Sequence, residues 1–316
     1  MKRREFLGVT GLGLMAFAAP PPPRHAAQWR ARAPVRFVER WSWAMGQPVH
    51  LMLFADVEDE GYEAAALALA ELRRVEARLS LFDSASDLVE LNRQAGRGPM
   101  RVDADLAAVL QAAAGFRRST AGAFNAAVEP LMRVWGFRSP RTVEPTPAEV
   151  REACEAAEAA VVVVDEGRVT LPSRQTQLDF GGIAVGYGLD RMASLLRGLG
   201  VGRAFIDISG DCLAIGAPPG SSGWPVSVVD PGNPGGTLGQ VRLRDQALAT
   251  SANTVSVVRY GARLRGHVMD PFSGYPANRR LQATAVARTG IAADALSTAM
   301  LVAGKILGGV ERAIFA

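Results

Sequence analysis

Apolar positions follow two spacings along this chain, one near the helical period and one near alternation. From Asp59 to Leu79 the residues Leu67, Leu69, Leu72, Val75 and Leu79 fall near helical spacing and predict a long amphipathic helix. Arg73, Arg74 and Arg78 lie outside that set and are expected to form its solvated face. Asp105 to Arg118 predicts a second, Ala-rich helix that ends before Ala121-Gly122-Ala123. Thr146-Pro147-Ala148-Glu149 supplies a hydroxyl cap, a proline at the first helical position and a glutamate at the third, predicting a helix to about Ala157. Ile183 to Leu199 reads as helix stopped by Gly200, and the last helix is expected to begin near Ala293. Strand patterns occupy Leu51 to Ala55, a hairpin of Val161 to Val164 with Arg168 to Leu171 about Asp165-Glu166-Gly167, and Gln177 to Phe180. Further strands are expected at Ala204 to Ile208, Pro225 to Val229, Gly239 to Leu243, Val255 to Tyr260, Gly266 to Met269 and Leu281 to Ala287. Consecutive strands between helices favour an α+β fold with mixed or antiparallel sheets and flanking helices over a doubly wound parallel sheet. Pro231 to Gly236 reads as a surface loop, and there is no internal repeat.

The 316 residues, 48% hydrophobic, suffice for one large domain or two small ones with a real core. No apolar run after residue 20 is long enough to span a bilayer. At the N-terminus, Lys2-Arg3-Arg4-Glu5-Phe6-Leu7-Gly8 precedes an apolar stretch from Val9 to Ala19, which looks like a twin-arginine export signal. The leader with its proline-rich exit is therefore expected over residues 1–25, the folded domain over 36–316, and the location as periplasmic, membrane-associated if the leader is retained. The basic balance belongs mostly to this leader: residues 1–40 hold eight Lys/Arg and two Glu, leaving the remainder at −2 of the overall +4. Lacking a basic stripe and interleaved aromatics, the body gives no sign of a nucleic-acid partner. Cys154 and Cys212 are expected as buried free thiols, not a disulfide framework.

Asp294 and Thr298, four residues apart on an expected helix, place a carboxylate and a hydroxyl on one face, half of a site for a hard cation such as Mg2+. The alternative is a polar pair near a helix N-terminus, with Asp294 interacting with the macrodipole. Leu178 to Ala184 runs from strand into helix through Gly181-Gly182, where backbone N–H groups suit a phosphate, unless the glycines merely make a tight turn. It is neither the dinucleotide fingerprint nor a Walker loop. His267, at a strand end before a turn-rich loop to Pro276, could take a proton from an attacking hydroxyl or could be a structural histidine bonded to backbone. Ile208-Ser209-Gly210-Asp211 reads as a polar loop interrupting a strand, and Leu248-Ala249-Thr250-Ser251-Ala252 pairs two hydroxyls beside small residues; either is compatible with turn chemistry.

In order along the chain, these pieces resemble the FAD:protein FMN transferase (ApbE) family over roughly residues 44–306. They are Met45-Gly46; Leu81-Phe82-Asp83 with Ser86 to Asn92; Gly122-Ala123-Phe124; Pro130 to Phe137 with Trp135-Gly136-Phe137; Leu178 to Asp190; Gly210-Asp211; Asp230-Pro231; Ala249-Thr250-Ser251; His267 to Pro276; and Ala293 to Thr298. The resemblance implies a single ApbE-like, T-fold-like domain that takes FAD as substrate, requires Mg2+, and attaches FMN by a phosphoester to a Thr or Ser of an exported or membrane redox protein, releasing AMP. By the same resemblance, Asp294 and Thr298 would be metal ligands with the Ala184 carbonyl as a third, and His267 would assist proton removal beside the catalytic Asp294. Met45 and Phe82 would lie against the flavin or adenine, Asp179 and Thr250 would hold the nucleotide, and Gly122, Ala123, Phe124, Gly182 and Ser251 would complete its binding site. Three departures stand out: Val185 replaces the lysine of Gly-Gly-Ile-Ala-Lys-Gly-Tyr, Asn125 replaces the aspartate of Gly-Ala-Phe-Asp, and Ser209 replaces the first glycine of Asn-x-Gly-Gly-Asp. Ala252 likewise stands where Thr-Ser-Gly ends. An arginine such as Arg279 or Arg280 could restore the charge missing at Val185. FAD hydrolysis to FMN and AMP, or flavin binding without catalysis, are the alternative activities.

Overall fold

The computed structural model describes residues 35–316 apart from Glu166 and Pro234. The leader and His25 lie outside the described residues. The chain begins with an antiparallel hairpin of β1 (Arg36–Ala44) and β2 (Gln47–Ala55). Its two-residue turn, Met45-Gly46, has φ of +53° and +69°, the left-handed pair whose twist matches that of the flanking strands. The long helix α1 (Glu58–Leu79) follows, then α2 (Asp87–Gln94), β3 (Met100–Arg101), α3 (Ala104–Ser119), α4 (Glu129–Val134) and α5 (Pro147–Glu158). The capping box read at Thr146 is formed in full. A small sheet adds β4 (Val163–Asp165) and β5 (Arg168–Thr170) to β3. Next come α6 (Ala184–Gly198), β6 (Ala204–Ile208), β7 (Asp211–Ile215), the hairpin of β8 (Trp224–Val229) with β9 (Thr237–Leu243), and β10 (Ala247–Ala252). The chain closes with β11 (Val257–Tyr260), β12 (Arg263–Gly266), β13 (Gln282–Ala287), α7 (Gly290–Ala303) and β14 (Arg312–Phe315).

The main sheet has seven strands in the order β1-β2-β6-β7-β10-β13-β14, every neighbouring pair antiparallel. Alternation along these strands serves two cores. Val49, Leu51, Leu53, Ile206 and Ile208 face one way and pack on Leu72 of α1 and on Leu189, Met192 and Ala193 of α6. Met52, Phe54, Phe205, Ala214 and Leu248 face the other way, against Trp224, Val228, Val241 and Leu243 of the β8–β9 hairpin. Each such fully buried Leu or Phe contributes about 1.5–3 kcal/mol of transfer free energy. The α+β reading holds, with antiparallel sheets and helices flanking the main one. Among the described residues no helix is long and apolar enough to cross a membrane.

Several segments differ from the expectations, each for an identifiable reason. Gln177–Phe180 is extended but joins no sheet, because the Asn92 side chain occupies its hydrogen-bonding edge: Nδ2 donates to the Leu178 carbonyl at 2.9 Å and Oδ1 accepts from the Leu178 N–H at 2.8 Å. The stretch around Thr250 is a central strand and not a turn, its small side chains fitting beneath α7. The second strand after Val255 spans Arg263–Gly266, and Met269 instead makes an isolated bridge with Pro276. Arg74 is not simply solvated: it pairs with Glu71 and with the buried Asp105, while Arg191 of α6 reaches the same Glu71. This network ties α1, α3 and α6 together. Both cysteines are free, Cys212 buried and Cys154 partly so.

Helices α6 and α7 touch backbone to backbone. A Cβ at Gly186 would lie 2.2 Å from the Gly290 carbonyl oxygen, and one at Gly290 would lie 2.3 Å from the Gly186 oxygen. The Asp190 carboxylate accepts the N–H groups of Gly290 at 2.6 Å and Ile291 at 2.9 Å, starting α7 earlier than its apolar pattern indicates. Gly186→Ala or Gly290→Ala is therefore expected to destabilise the protein by about 1–3 kcal/mol or more through overpacking. Gly198→Ala, at an exposed position with nothing within 4 Å, is the control and should be neutral or stabilising by about 0.4–1 kcal/mol. Urea midpoints of the three variants check both expectations.

Candidate functional site

A cavity of about 1310 Å3 opens between the β1–β2 turn, the start of α6, the centre of α7 and the loop that follows β12. Its size exceeds the usual range for a drug-sized ligand, about 300–1,000 Å3, and suits a dinucleotide.

The cavity is lined by a carboxylate pair, Asp294 buried and Asp211 half-buried. Asp294 on α7 is 4% exposed, and one of its oxygens accepts the Gly186 N–H at 2.9 Å, an alignment that the Gly186–Gly290 contact makes possible. Burial, and then the charge of Asp211, raise the Asp294 carboxyl well above the ordinary carboxylate range. Asp211, at the start of β7, accepts the Thr250 N–H at 2.9 Å and is pushed up to about 7, first by burial and then by Asp207. Thr298 sits one turn beyond Asp294, its hydroxyl 3.0 Å from that of Ser251, which also lies 2.8 Å from Ser297. A Cβ at Gly182 would fall 2.8 Å from the Thr298 hydroxyl, so a glycine there lets α7 and the α6 N-terminus close together. Ala184, the first residue of α6, lines the same cavity. Buried acidic oxygens with hydroxyls beside them are the donor set a hard divalent cation takes, and a cation would offset the mutual repulsion of the two carboxylates.

His267 lines the same cavity. Its N–H of the backbone donates to the Ser256 carbonyl at 3.1 Å, whereas ring Nδ1 is buried without a hydrogen-bond partner among the described residues. Burial lowers the pKa of its imidazole, with the Ser256 backbone and Asp179 opposing and Arg138 adding to the shift, a balance that favours the neutral ring. The loop carrying it is held firmly: Asn253 donates to the carbonyl of Ala277 at 2.6 Å and accepts the Val268 N–H at 2.8 Å, and Trp135 Nε1 donates to the Gly274 carbonyl at 2.7 Å. That bond explains the Trp-Gly-Phe segment physically: a buried indole clamps the histidine loop from α4.

The remaining expected residues are distributed unequally. Met45, Phe82, Ala123, Phe124, Asp179, Gly182, Thr250 and Ser251 all line the cavity; Gly122 does not, sitting at the exit of α3 with φ +90° against the Phe272 ring. Phe82 is 86% exposed at the mouth. The Thr250 hydroxyl is shared with Thr284, its strand partner, at 2.9 Å. Both Asp179 oxygens are engaged, one by the Gly181 N–H at 2.6 Å and the other by Arg138. Asn125 lines the wall with its amide satisfied by Ala157 and Ala127, and Ser209 adopts φ +53° in the β6–β7 turn. Arg279 packs on Gly304 and Arg280 over the Phe315 ring, so neither lines the cavity. Sequence reasoning missed Arg138, although it directly follows Trp135-Gly136-Phe137.

With their folded-state pKa values raised, Asp211 and Asp294 favour the folded protein at low pH, and that contribution is lost as pH rises through their folded values. Metal-free protein should therefore lose stability between about pH 4 and 7, by at most about 1.4 kcal/mol per pH unit for each titrating group. Asp211→Asn should flatten this slope in urea titrations at fixed pH; an unchanged slope would show that the pair is not the source.

A model of the ApbE family matches residues 45–310. The chain is 31% identical to a FAD:protein FMN transferase of Treponema pallidum over 258 residues, covering 74% of this chain and 69% of the relative. It is 27% identical to one of Klebsiella pneumoniae, covering 78% and 75%. Among solved structures, the ApbE protein of Thermotoga maritima superposes with a TM-score of 0.79 at 28% identity, covering 85% of this chain and 88% of that one. The flavinyl transferase ApbE of Pseudomonas stutzeri, apo form, gives 0.74 at 24% identity, covering 85% of each, a likeness of fold.

Proposed function

The chain belongs to the ApbE family, and from that membership and the cavity's chemistry we propose that it transfers FMN from FAD to a Thr or Ser hydroxyl of a target protein, using Mg2+. The observation that carries this reading is the presence, in one cavity, of a histidine whose pKa burial lowers and of a carboxylate pair, Asp294 and Asp211, whose pKa values burial raises. Asp294, Thr298 and the Ala184 carbonyl would hold the cation, which when bound neutralises charge on the phosphoryl oxygens. The imidazole of His267 accepts the proton of the acceptor hydroxyl as its oxygen bonds to the FMN phosphorus. The bond from that phosphorus to the bridging oxygen breaks, and AMP leaves with the oxygen. Met45 and Phe82 offer apolar surface to the rings of the substrate, and the loop carrying His267, pinned by Asn253 and Trp135, keeps the imidazole fixed relative to the phosphates. The twin-arginine-like leader supports action outside the cytoplasmic membrane, on an exported or membrane redox protein.

The alternative of flavin binding without transfer is motivated by Val185, Asn125 and Ser209. Incubation with FAD, Mg2+ and a target peptide distinguishes the possibilities by mass spectrometry: flavinylated peptide is the expected product. Intact FAD would indicate a non-catalytic binder, and AMP released without acceptor an FAD pyrophosphatase. His267→Ala should lower transfer about 10²–10⁴-fold while FAD affinity stays within a few-fold. Because burial lowers the His267 pKa, the acid limb of the rate profile should lie below pH 6.5; a limb above it would contradict a neutral base. Mg2+ should raise the melting temperature of the wild type and leave Asp294→Asn unmoved in calorimetry.

A further inference from the structure

Five carboxylates line the cavity, Glu76, Asp179, Asp207, Asp211 and Asp294, against a single guanidinium among the described residues, that of Arg138. A ligand carrying a diphosphate finds one guanidinium among these acceptor side chains, so that with a divalent cation at Asp294 the remaining cationic partner for phosphate oxygens in the cavity is Arg138. Val185 contributes no charge where α6 begins. Arg138 is built to meet this need. It follows the buried Trp135 in the segment that clamps the histidine loop. Its Nε donates to the buried Glu129 at 2.8 Å, and Nη2 donates to Asp179. Those bonds use two of the five donors of a guanidinium, which leaves others for an incoming anion. The group lies 5.5 Å from the centroid of the exposed Phe82 ring at the mouth and is close enough to His267 to help hold that imidazole neutral.

We propose that Arg138 is the diphosphate anchor of this cavity: when FAD enters, the guanidinium keeps Glu129 and exchanges the Asp179 carboxylate for phosphate oxygens. The inference rests on the FAD reading given above. Asp179, which gives up the guanidinium, keeps the Gly181 N–H on its other oxygen at 2.6 Å, so the exchange does not strand it. Arginine suits the task because its planar fork matches two phosphate oxygens at once, which a lysine at the same place cannot do.

The test measures FAD affinity by flavin fluorescence for the wild type, for Arg138→Gln and for the double variant Glu129→Gln with Arg138→Gln. The double variant replaces a buried ion pair with a neutral one, so it separates a structural role from contact with the ligand. An anchor predicts a loss of about tenfold to hundredfold in both variants, with a cooperative melting transition retained in the double variant. Recovery of the double variant to within a few-fold of the wild type would overturn the proposal and reduce Arg138 to a counter-ion for Glu129. If the double variant does not melt cooperatively, Arg138→Lys decides: it keeps the charge beside Glu129 and loses the fork, so several-fold weaker FAD binding supports the anchor and unchanged binding overturns it. A wild type that binds no FAD would instead remove the underlying reading, and this inference with it.

Discussion

The contact between the backbones of Gly186 and Gly290 sets the geometry on which the rest of the site depends. With no side chain on either residue, α6 and α7 approach closely enough for the Gly186 N–H to reach the Asp294 carboxylate and for Asp190 to cap α7. The same approach seats Gly182 against the Thr298 hydroxyl. A carboxylate held this deep has lost its water and gained one N–H in exchange, with Asp211 repelling it from β7. Such an arrangement favours protonation or a cation and opposes the stability of the empty protein near neutral pH, a conflict expected at a functional site more than in a structural core.

The cavity draws its polar groups from distant segments of the chain. Asp294, Asp211 and Thr250 reach it from α7, β7 and β10, while Arg138, paired with Asp179, and His267 reach it from the segments after α4 and β12. Two long-range clamps fix the last of these segments: Trp135 holds the far side of the His267 loop through Gly274, and Asn253 holds the near side through Val268 and Ala277. In the proposed transfer a base and a cation site bracket one phosphorus, and these clamps hold the His267 loop without relying on the ligand to organise it.

Much of this was legible in the sequence, because the helices announce themselves by spacing and caps. The capping box at Thr146 and the amphipathic run to Leu79 are local signals, and local signals survive in one dimension. The strand at Ala247–Ala252 was not legible: small and polar residues there fit under α7, a constraint visible only from its neighbours. Gln177–Phe180 carries strand-like residues, but Asn92, distant in the chain, takes the hydrogen bonds a neighbouring strand would have made. Asp294 and Thr298 could be paired from helical geometry alone. Asp211 and Arg138 gain their meaning from charges contributed by other segments, which no local pattern records.

The claim that a cation at Asp294 and the imidazole of His267 flank one diphosphate is tested most directly by 31P NMR of FAD bound to the protein with Mn2+ in place of Mg2+. Strong paramagnetic relaxation of both FAD phosphorus nuclei in the wild type, abolished by Asp294→Asn, is the expected result. Phosphorus relaxation in the bound complex that is the same with and without Asp294 would contradict it.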